Sequence, residues 1–310
     1  MVEQRNMSNR AWAELLLLGL IWGASFFSIA IALREVGALT SVAHRVGWAA
    51  VLLWIVVLWR GHRVPRNAAV WMSFLGMGIF NNVLPFSLMA WGQLHIETGL
   101  TSILNAATAL FGVLVAAMFL RDERLTMRKA AGTALGFAGV ATVIGYGAVA
   151  AFDLRSLGQI AVIAGTISYA FASVWGRIRL AELPPEVAAA GMLTCSAIIT
   201  LPTAWIVDGP LTLALQRETW LTIGYYAGAA TAGAYLLYYR ILAMAGAGNL
   251  MLVTLLIPPV AIALGALFLG ETLEGRDLIG FALIALGLVV LDGRALRMVR
   301  GTQATSRQRS

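Results

Sequence analysis

Charge is scarce in this sequence. Asp, Glu, Lys and Arg make up 12% of the 310 residues, about half the share usual in soluble domains. With 60% hydrophobic residues and a mean hydropathy of +0.82, that shortage excludes an ordinary soluble globule. Cysteine is nearly absent: the single Cys195 lies in an apolar run, so neither an intramolecular disulfide nor a cysteine metal site can form. No acidic or basic residue is expected near the middle of an apolar segment. Glu14, Glu35, Arg45, Glu97 and Asp292 fall near segment ends, where long side chains reach the interface. The aspartate pair, the serine with a base in reach, and the His/Glu metal cluster of intramembrane hydrolases are missing at depth. The sequence therefore predicts no enzyme, no cofactor and no metal. The net charge of +7 is not gathered into a basic patch interleaved with aromatics, which disfavours nucleic acid as a partner and leaves the lipid bilayer. Apolar segments continue to Leu291, so a cleaved leader is not expected.

What is present is a series of apolar runs. A bilayer core of about 30 Å needs about 20 apolar residues per helix. Ten segments qualify, near 11–33, 40–59, 69–92, 98–120, 128–148, 156–177, 186–207, 219–240, 248–269 and 275–292. The expected fold is an all-α polytopic membrane protein. Seventeen of the 22 cations lie on one side of these segments; Arg34, Arg45, Arg155, Arg217 and Arg276 lie on the other. By the positive-inside rule both termini are cytoplasmic, and a bacterial inner membrane is the expected location. The chain would act as a monomer or a homodimer.

The sequence also repeats itself. Phe119-Leu120-Arg121-Asp122-Glu123-Arg124-Leu125, followed by Gly132 and Gly139, recurs 148 residues later as Phe268-Leu269-Gly270-Glu271-Thr272-Leu273 with Gly280 and Gly287. Upstream the offset is 149, which pairs Gly99 with Gly248 and Ala109 with Pro258. Two five-helix repeats, 11–148 and 156–293, and a basic cytoplasmic tail, 294–310, follow; the linker from Val149 to Leu157 joins the repeats. An odd number of helices per repeat turns the second copy upside down. The Glu123 turn then faces the cytoplasm and the Glu271 turn the outside. Inverted repeats are the signature of secondary transporters, whose substrate site lies near the midplane between the copies. A sensor or scaffold would need neither broken helices nor polar residues at mid-depth. The absence of a central carboxylate predicts transport that needs no proton gradient.

Trp22-Gly23, Ala90-Trp91 leading to Gly99, the Ser102-Ile103-Leu104-Asn105 run, the Glu123-Arg124-Leu125 turn, and Asn249-Leu250 to Ile257-Pro258 with Glu271-Thr272-Leu273 resemble the EamA-type drug/metabolite transporters. The resemblance spans nearly all of residues 11–293. It implies ten helices, two inverted repeats and transport, commonly export, of amino acids or similar metabolites; import or facilitation of another small organic solute is the alternative. Ala109 stands where that family usually has proline, which removes the reason for a kink there. Helices 9 and 10 lack the lysine or arginine of sugar-phosphate members, which disfavours phosphorylated substrates.

Candidate substrate-binding residues follow from polar and aromatic groups at mid-depth. Asn81 and Asn82 lie halfway along the third segment, and Pro85 removes the helical donor of the Asn81 carbonyl. Pro258 and Pro259 do the same to Thr254 and Leu255. Pro85, Pro258 and Pro259 are therefore expected hinges. Trp22 and Ser25, on one face with Phe26 and Ile29, would wall the cavity from the first helix, and Tyr169 with Ser173 from the sixth. Asn82, Trp22 and Thr254 are expected to face one central cavity. Tyr235, Tyr238, Tyr239 and Arg240 read as an interfacial belt with a snorkelling arginine, or as a cytoplasmic gate. His44 and His95 read as interfacial. Glu123 and Glu271 are placed to meet the positive end of the helix each precedes. Gly132 with Gly136, Gly224 with Gly228, and Gly19 with Gly23 read as close-packing pairs.

Overall fold

The structure is a computed structural model and describes residues 8–121, 125–145, 154–245, 250 and 252–292. The Glu123-Arg124 turn, Gly248-Asn249, the start of the linker at Val149, the side chain of Asp292 and the tail 294–310 lie outside the described residues. Every regular element among the described residues is helical. In chain order these are α1 (Asn9–Ala32), α2 (Ala38–Trp59), α3 (Ala68–Gly78), a π-helical stretch (Ile79–Val83), α4 (Leu84–Gly92), α5 (Thr98–Asn105) and α6 (Thr108–Phe119). They are followed by α7 (Met127–Ile144), α8 (Leu154–Arg179), α9 (Pro185–Val207), α10 (Arg217–Gly224), a second π-helical stretch (Tyr225–Gly233) and α11 (Ala234–Ala245). The last elements are α12 (Val253–Leu264), a short π-helical stretch (Gly265–Leu269) and α13 (Gly275–Asp292).

Among the described residues, six helices are long and apolar enough to cross a membrane: Asn9–Ala32, Ala38–Trp59, Ala68–Gly92, Thr98–Phe119, Leu154–Arg179 and Pro185–Val207. Of the others, Val253–Leu269 is apolar but shorter, and the rest carry more polar residues. Met127–Ile144 opens on Arg128 and Lys129, Gly275–Asp292 holds Arg276 and Asp277 in its first turn, and 217–245 is rich in Gly, Ala and Tyr. Large apolar side chains point away from the protein along these helices, among them Leu16, Leu20, Ile55, Leu58 and Ile206. A surface of this kind is stable against acyl chains and not against water. The protein is a multi-pass membrane protein.

Local chemistry fixes the helix starts. Ser8 accepts from the Ala11 amide at 3.2 Å, Asn67 from Ala69 at 2.8 Å and Thr126 from Lys129 at 3.3 Å, each satisfying an otherwise orphan donor. Glu271 meets a helix dipole, but not that of the helix it precedes: its carboxylate accepts from the amides of Thr98 at 2.9 Å and Gly99 at 3.3 Å, at the start of α5. Gly270, at φ 67°, ends the last π stretch in a conformation that side chains other than glycine adopt rarely.

Between elements, α9 packs along α2, α13 along α7, α12 along α1, and α8 against α4 and α6. Glycine allows the closest of these approaches. A Cβ on Gly19 would come within 2.7 Å of Leu256, and one on Gly23 within 2.5 Å of Val260. On α7 and α13, Gly132 meets Gly287 while Gly139 meets Gly280. The early glycine of one helix opposes the late glycine of the other, so the two helices run antiparallel. Gly136 abuts Leu110. The Gly224–Gly228 pair differs from expectation: Gly224 has nothing within 4 Å and Gly228 only Leu52 at 3.7 Å, because that face is turned outward and lines a shallow groove with Trp48 and Trp220.

Gly132→Ala should place a methyl 2.8 Å from the Gly287 carbonyl oxygen and the Leu291 nitrogen. Overpacking of this kind destabilises by about 1–3 kcal/mol. Gly224→Ala meets nothing and should leave the melting temperature of the detergent-solubilised protein unchanged or raised. Equal melting temperatures for wild type and Gly132→Ala would contradict the packing described.

Candidate functional site

Proline shapes the first half of the site. Pro85 has no amide hydrogen to give the carbonyl four residues back, and the chain absorbs this by winding 79–83 as a π turn, in which the Leu84 N–H donates to the Ile79 carbonyl. Carbonyls beside that turn receive side-chain hydroxyls: Ser168 Oγ donates to Phe80 O at 2.8 Å, and the single proton of Ser196 Oγ is shared between Gly78 O at 3.2 Å and Met192 O, in its own helix, at 2.7 Å. The second π stretch is repaired in the same way, with Thr231 Oγ1 donating to Tyr226 O at 2.7 Å. Pro258 and Pro259 behave otherwise: both lie inside the α-helical α12, and the departure from α geometry comes later, at Gly265–Leu269. The fourth segment breaks without a proline, at Ala106 and Ala107.

Asn82 is completely enclosed. Its amide donates to Ser196 Oγ at 3.0 Å and its carbonyl accepts from the Tyr235 hydroxyl at 3.1 Å. Asn81, half-buried, donates to the same Tyr235 hydroxyl at 2.9 Å. Asn82 therefore does not face a cavity. Both asparagines hold Tyr235, which the sequence had placed in an interfacial belt. Tyr235 turns inward because α11 resumes one residue after the π stretch, whose wider turn shifts the face that every later side chain presents.

Arg45 is the larger correction. Far from reaching an interface, it lies two turns inside α2, about 10 Å from the helix start at 1.5 Å per residue, and points into the protein. Its Nε donates to Thr231 Oγ1 at 2.9 Å, and its guanidinium carbon sits 3.9 Å from the centre of the Phe86 ring, a cation–π contact. Tyr169, Tyr226 and Tyr235 are the phenols within its electrostatic reach. Among the described residues no carboxylate pairs with it. The signal for it was faint: Ser41, Arg45 and Ala49 share one face at helical spacing, which makes a polar and small stripe in an otherwise bulky helix.

The remaining candidates divide. Trp22 reaches the site's edge: its Nε1 donates to Ala230 O at 3.1 Å and its ring lies 6.0 Å from that of Tyr238. Tyr169 packs edge-on to Phe86 at 6.4 Å, beside Arg45. Ser25, buried, donates to its own helix at Trp22 O, 2.7 Å away. Ser173 is exposed and donates to Ala170 O at 2.7 Å, outside the cluster. Thr254 is half-buried on α12, and Pro85 packs against Gly165. Tyr238 stacks edge-on to Tyr239 at 5.3 Å, while Arg240 pairs with Glu14, so neither snorkels freely. His44 is buried and accepts from Trp48 Nε1 at 3.3 Å; His95 packs on Trp91 at 4.6 Å.

The EamA-like transporter family profile matches residues 11–145 and again 156–291. The chain belongs to this family. As an EamA-like transporter it is 27% identical, over 97% of its length and 99% of the relative's, to a protein of Streptantibioticus cattleyicolor named "Probable terminal-alkyne amino-acid exporter". It is 25% identical to a Salmonella typhimurium protein named "Probable amino-acid metabolite efflux pump", covering 92% of this chain and 95% of that one. An uncharacterized inner membrane transporter of Escherichia coli is 26% identical over 90% of both chains. One crystal structure superposes on this EamA-like chain with a TM-score of 0.66 at 20% identity, over 92% of this chain and 98% of that one; it supports the fold alone. In these terms the site joins the two family units: Arg45 and Thr231 come from different units, as do Asn82 and Ser196.

Asn82→Ala should leave the Tyr235 hydroxyl without its acceptor and Ser196 Oγ without its amide donor, and lower stability by about 1–3 kcal/mol. Ser173→Ala should change neither the melting temperature nor flux. Reconstituted flux and thermal unfolding, measured on both variants, check this assignment; a stable Asn82→Ala protein would show that the enclosed amide holds nothing.

Proposed function

We propose that this EamA-like chain is a secondary transporter that exports amino acids or closely related small metabolites by alternating access. It does so as ten membrane-spanning segments in two inverted repeats, 11–148 and 156–293, with both termini cytoplasmic in a bacterial inner membrane. The observation that carries the reading is the polar site between the two units: an arginine, two asparagines and several tyrosines, enclosed by helices from both halves. Substrate sites of inverted-repeat transporters lie at that boundary. The names of the relatives supply the substrate class.

The glycine contacts favour an inverted relation. Gly132 corresponds to Gly280, and Gly139 to Gly287, at the 148-residue offset. Observed contacts join Gly132 to Gly287 and Gly139 to Gly280. Each glycine thus touches the counterpart of its neighbour, as a twofold axis crossing between antiparallel helices requires; an axis along the membrane normal would make the two helices parallel. Two of the three π stretches also fall at matching places, since 79–83 plus 149 gives 228–232, inside Tyr225–Gly233; the third, Gly265–Leu269, has no counterpart among the described residues of the first half.

Alternating access needs contacts between the halves that can break at either end. At one end Glu271 binds the amides of Thr98 and Gly99, Arg155 pairs with Glu97 at 2.8 Å, and Asp208 accepts from the Thr40 amide at 2.7 Å. At the other, Glu14 pairs with Arg240, and Glu186 pairs with Arg60 at 2.9 Å and His62 at 3.0 Å. In each ion pair the arginine is partly exposed, and solvent on one partner weakens such a pair, which suits latches that must open.

Two measurements test the reading. In a Cys195→Ala background, Thr272→Cys should react with an impermeant thiol reagent added to spheroplasts and Met127→Cys should not; the reverse pattern, or labelling of both, overturns the topology. In proteoliposomes preloaded with unlabelled leucine, methionine, phenylalanine and threonine, counterflow should accumulate at least one labelled counterpart without an imposed ion gradient. Accumulation only under a pH difference would show that a titrating group, Glu14 foremost, drives the cycle.

A further inference from the structure

We propose that Arg45 binds the carboxylate of the exported molecule, an assignment that rests on the transporter reading above and specifies what that site selects. The first support is the charge distribution. Arg10, Arg60, Arg155, Arg240 and Arg276 all pair with carboxylates near the ends of the protein. Arg45, the one cation placed at this site, has no carboxylate among the described residues. Ionisable groups within membrane segments are expensive and pair with something; here the missing partner is an anion that comes and goes.

Geometry fixes what kind of anion. Thr231 Oγ1 holds Nε at 2.9 Å and the Phe86 ring lies against the guanidinium at 3.9 Å, so both the direction and the plane of the group are set before any ligand arrives. Only Nε is hydrogen-bonded to a described residue, and the side chain is half-buried rather than enclosed. The end of the fork is thus left free, and two parallel N–H groups match the two oxygens of a carboxylate. Of the phenols in reach, Tyr226 is tied to Ser41 at 3.2 Å and Tyr235 to the asparagines. The Tyr169 hydroxyl has no hydrogen-bond partner among the described residues and can donate to a carboxylate oxygen. A single cation neutralises a monoanion; a dianionic phosphate would bring a second negative charge that no described cation at the site answers. The class is therefore a small monocarboxylate, an amino acid with its carboxylate free included, and not an amide, an ester or an amine.

The test uses the purified full-length protein and four probes: leucine, leucinamide, 4-methylpentanoate and isopentylamine, with binding read from ligand-induced shifts in melting temperature and from tryptophan fluorescence. Leucine and 4-methylpentanoate should bind; leucinamide and isopentylamine should bind about tenfold more weakly or not at all. Arg45→Gln should weaken both carboxylates by about tenfold or more, Arg45→Lys should fall between because it keeps the charge and loses the fork, and Tyr169→Phe should weaken them less. A merely structural arginine would lower the melting temperature of the ligand-free protein when removed, whereas removal of an unpaired cation should leave it unchanged or raised. Should Arg45→Gln fail to fold, Arg45→Lys and Tyr169→Phe decide the matter through the ratio of 4-methylpentanoate to leucinamide binding, which must drop in both. Carboxylate binding unchanged by these substitutions, amide and amine binding as tight as carboxylate, or no binding of any carboxylate overturns the proposal. If 4-methylpentanoate binding requires Arg45 but no labelled amino acid is transported, amino-acid export falls and the carboxylate site stands. If amino acids move equally well through wild type and Arg45→Gln, the site falls and export stands.

Discussion

A bilayer offers no water to a backbone group that loses its helical partner, so every departure from α geometry must be repaired from inside the protein. Here the repair is made by hydroxyls. Ser196 shares its proton between Gly78 O, beside the first π turn, and Met192 O of its own helix, and Thr231 donates to Tyr226 O. A hydroxyl that donates still has lone pairs. Ser196 uses one to accept the Asn82 amide, and Thr231 uses one to accept Arg45 Nε. The bonds that let these helices wind as π turns are therefore the bonds that orient the polar side chains. Removing either hydroxyl would act on the backbone and on the site together.

Charge is treated in two ways in the same molecule. At the two ends, carboxylates meet arginines or helix amides, and the partners often come from different halves of the chain, as with Glu14 and Arg240 or Glu271 and Thr98. Between the ends, Arg45 is surrounded by a ring, phenols and a threonine hydroxyl, groups that orient a cation without neutralising it. Side-chain packing could have filled that position with leucine or methionine at less cost, since even paired buried charges gain little over apolar groups of the same size. On the proposed assignment, a bare cation stands there because a carboxylate binds to it.

The apolar runs and the duplication were legible in the sequence; the direction of individual side chains was not. Length and composition separate the apolar runs, and the recurrence of Glu, Leu and two glycines at one offset exposes the duplication, because both are local or periodic properties of the chain. Which way a side chain points around its helix depends on partners more than a hundred residues away. Arg45 was therefore read as an end residue although it faces Thr231, and Ser173 was grouped with Tyr169 although only Tyr169 turns toward Arg45. The prolines diverge for a related reason. A proline removes a donor, but whether the helix bends, winds as a π turn or carries on is decided by the hydroxyls nearby: the segment with Pro85 has Ser168 and Ser196 at hand, whereas α12 stays α-helical through Pro258 and Pro259.

The asymmetry of the site follows from the same repeat that frames it. At an offset of 149, Asn82 corresponds to Thr231, and each bonds a side chain from the second helix of the opposite half, Ser196 on α9 and Arg45 on α2. One crossing is neutral and closed; the other is charged and open. An occluded state that held neither water nor substrate would have to enclose the bare cation, at a desolvation cost of several kcal/mol. With a carboxylate on the guanidinium it would enclose a neutral pair. On the proposed assignment the substrate thus supplies what the empty protein lacks for passing through its closed form, and a charge left unpaired on one side of a duplicated frame ties movement of the two halves to the presence of cargo.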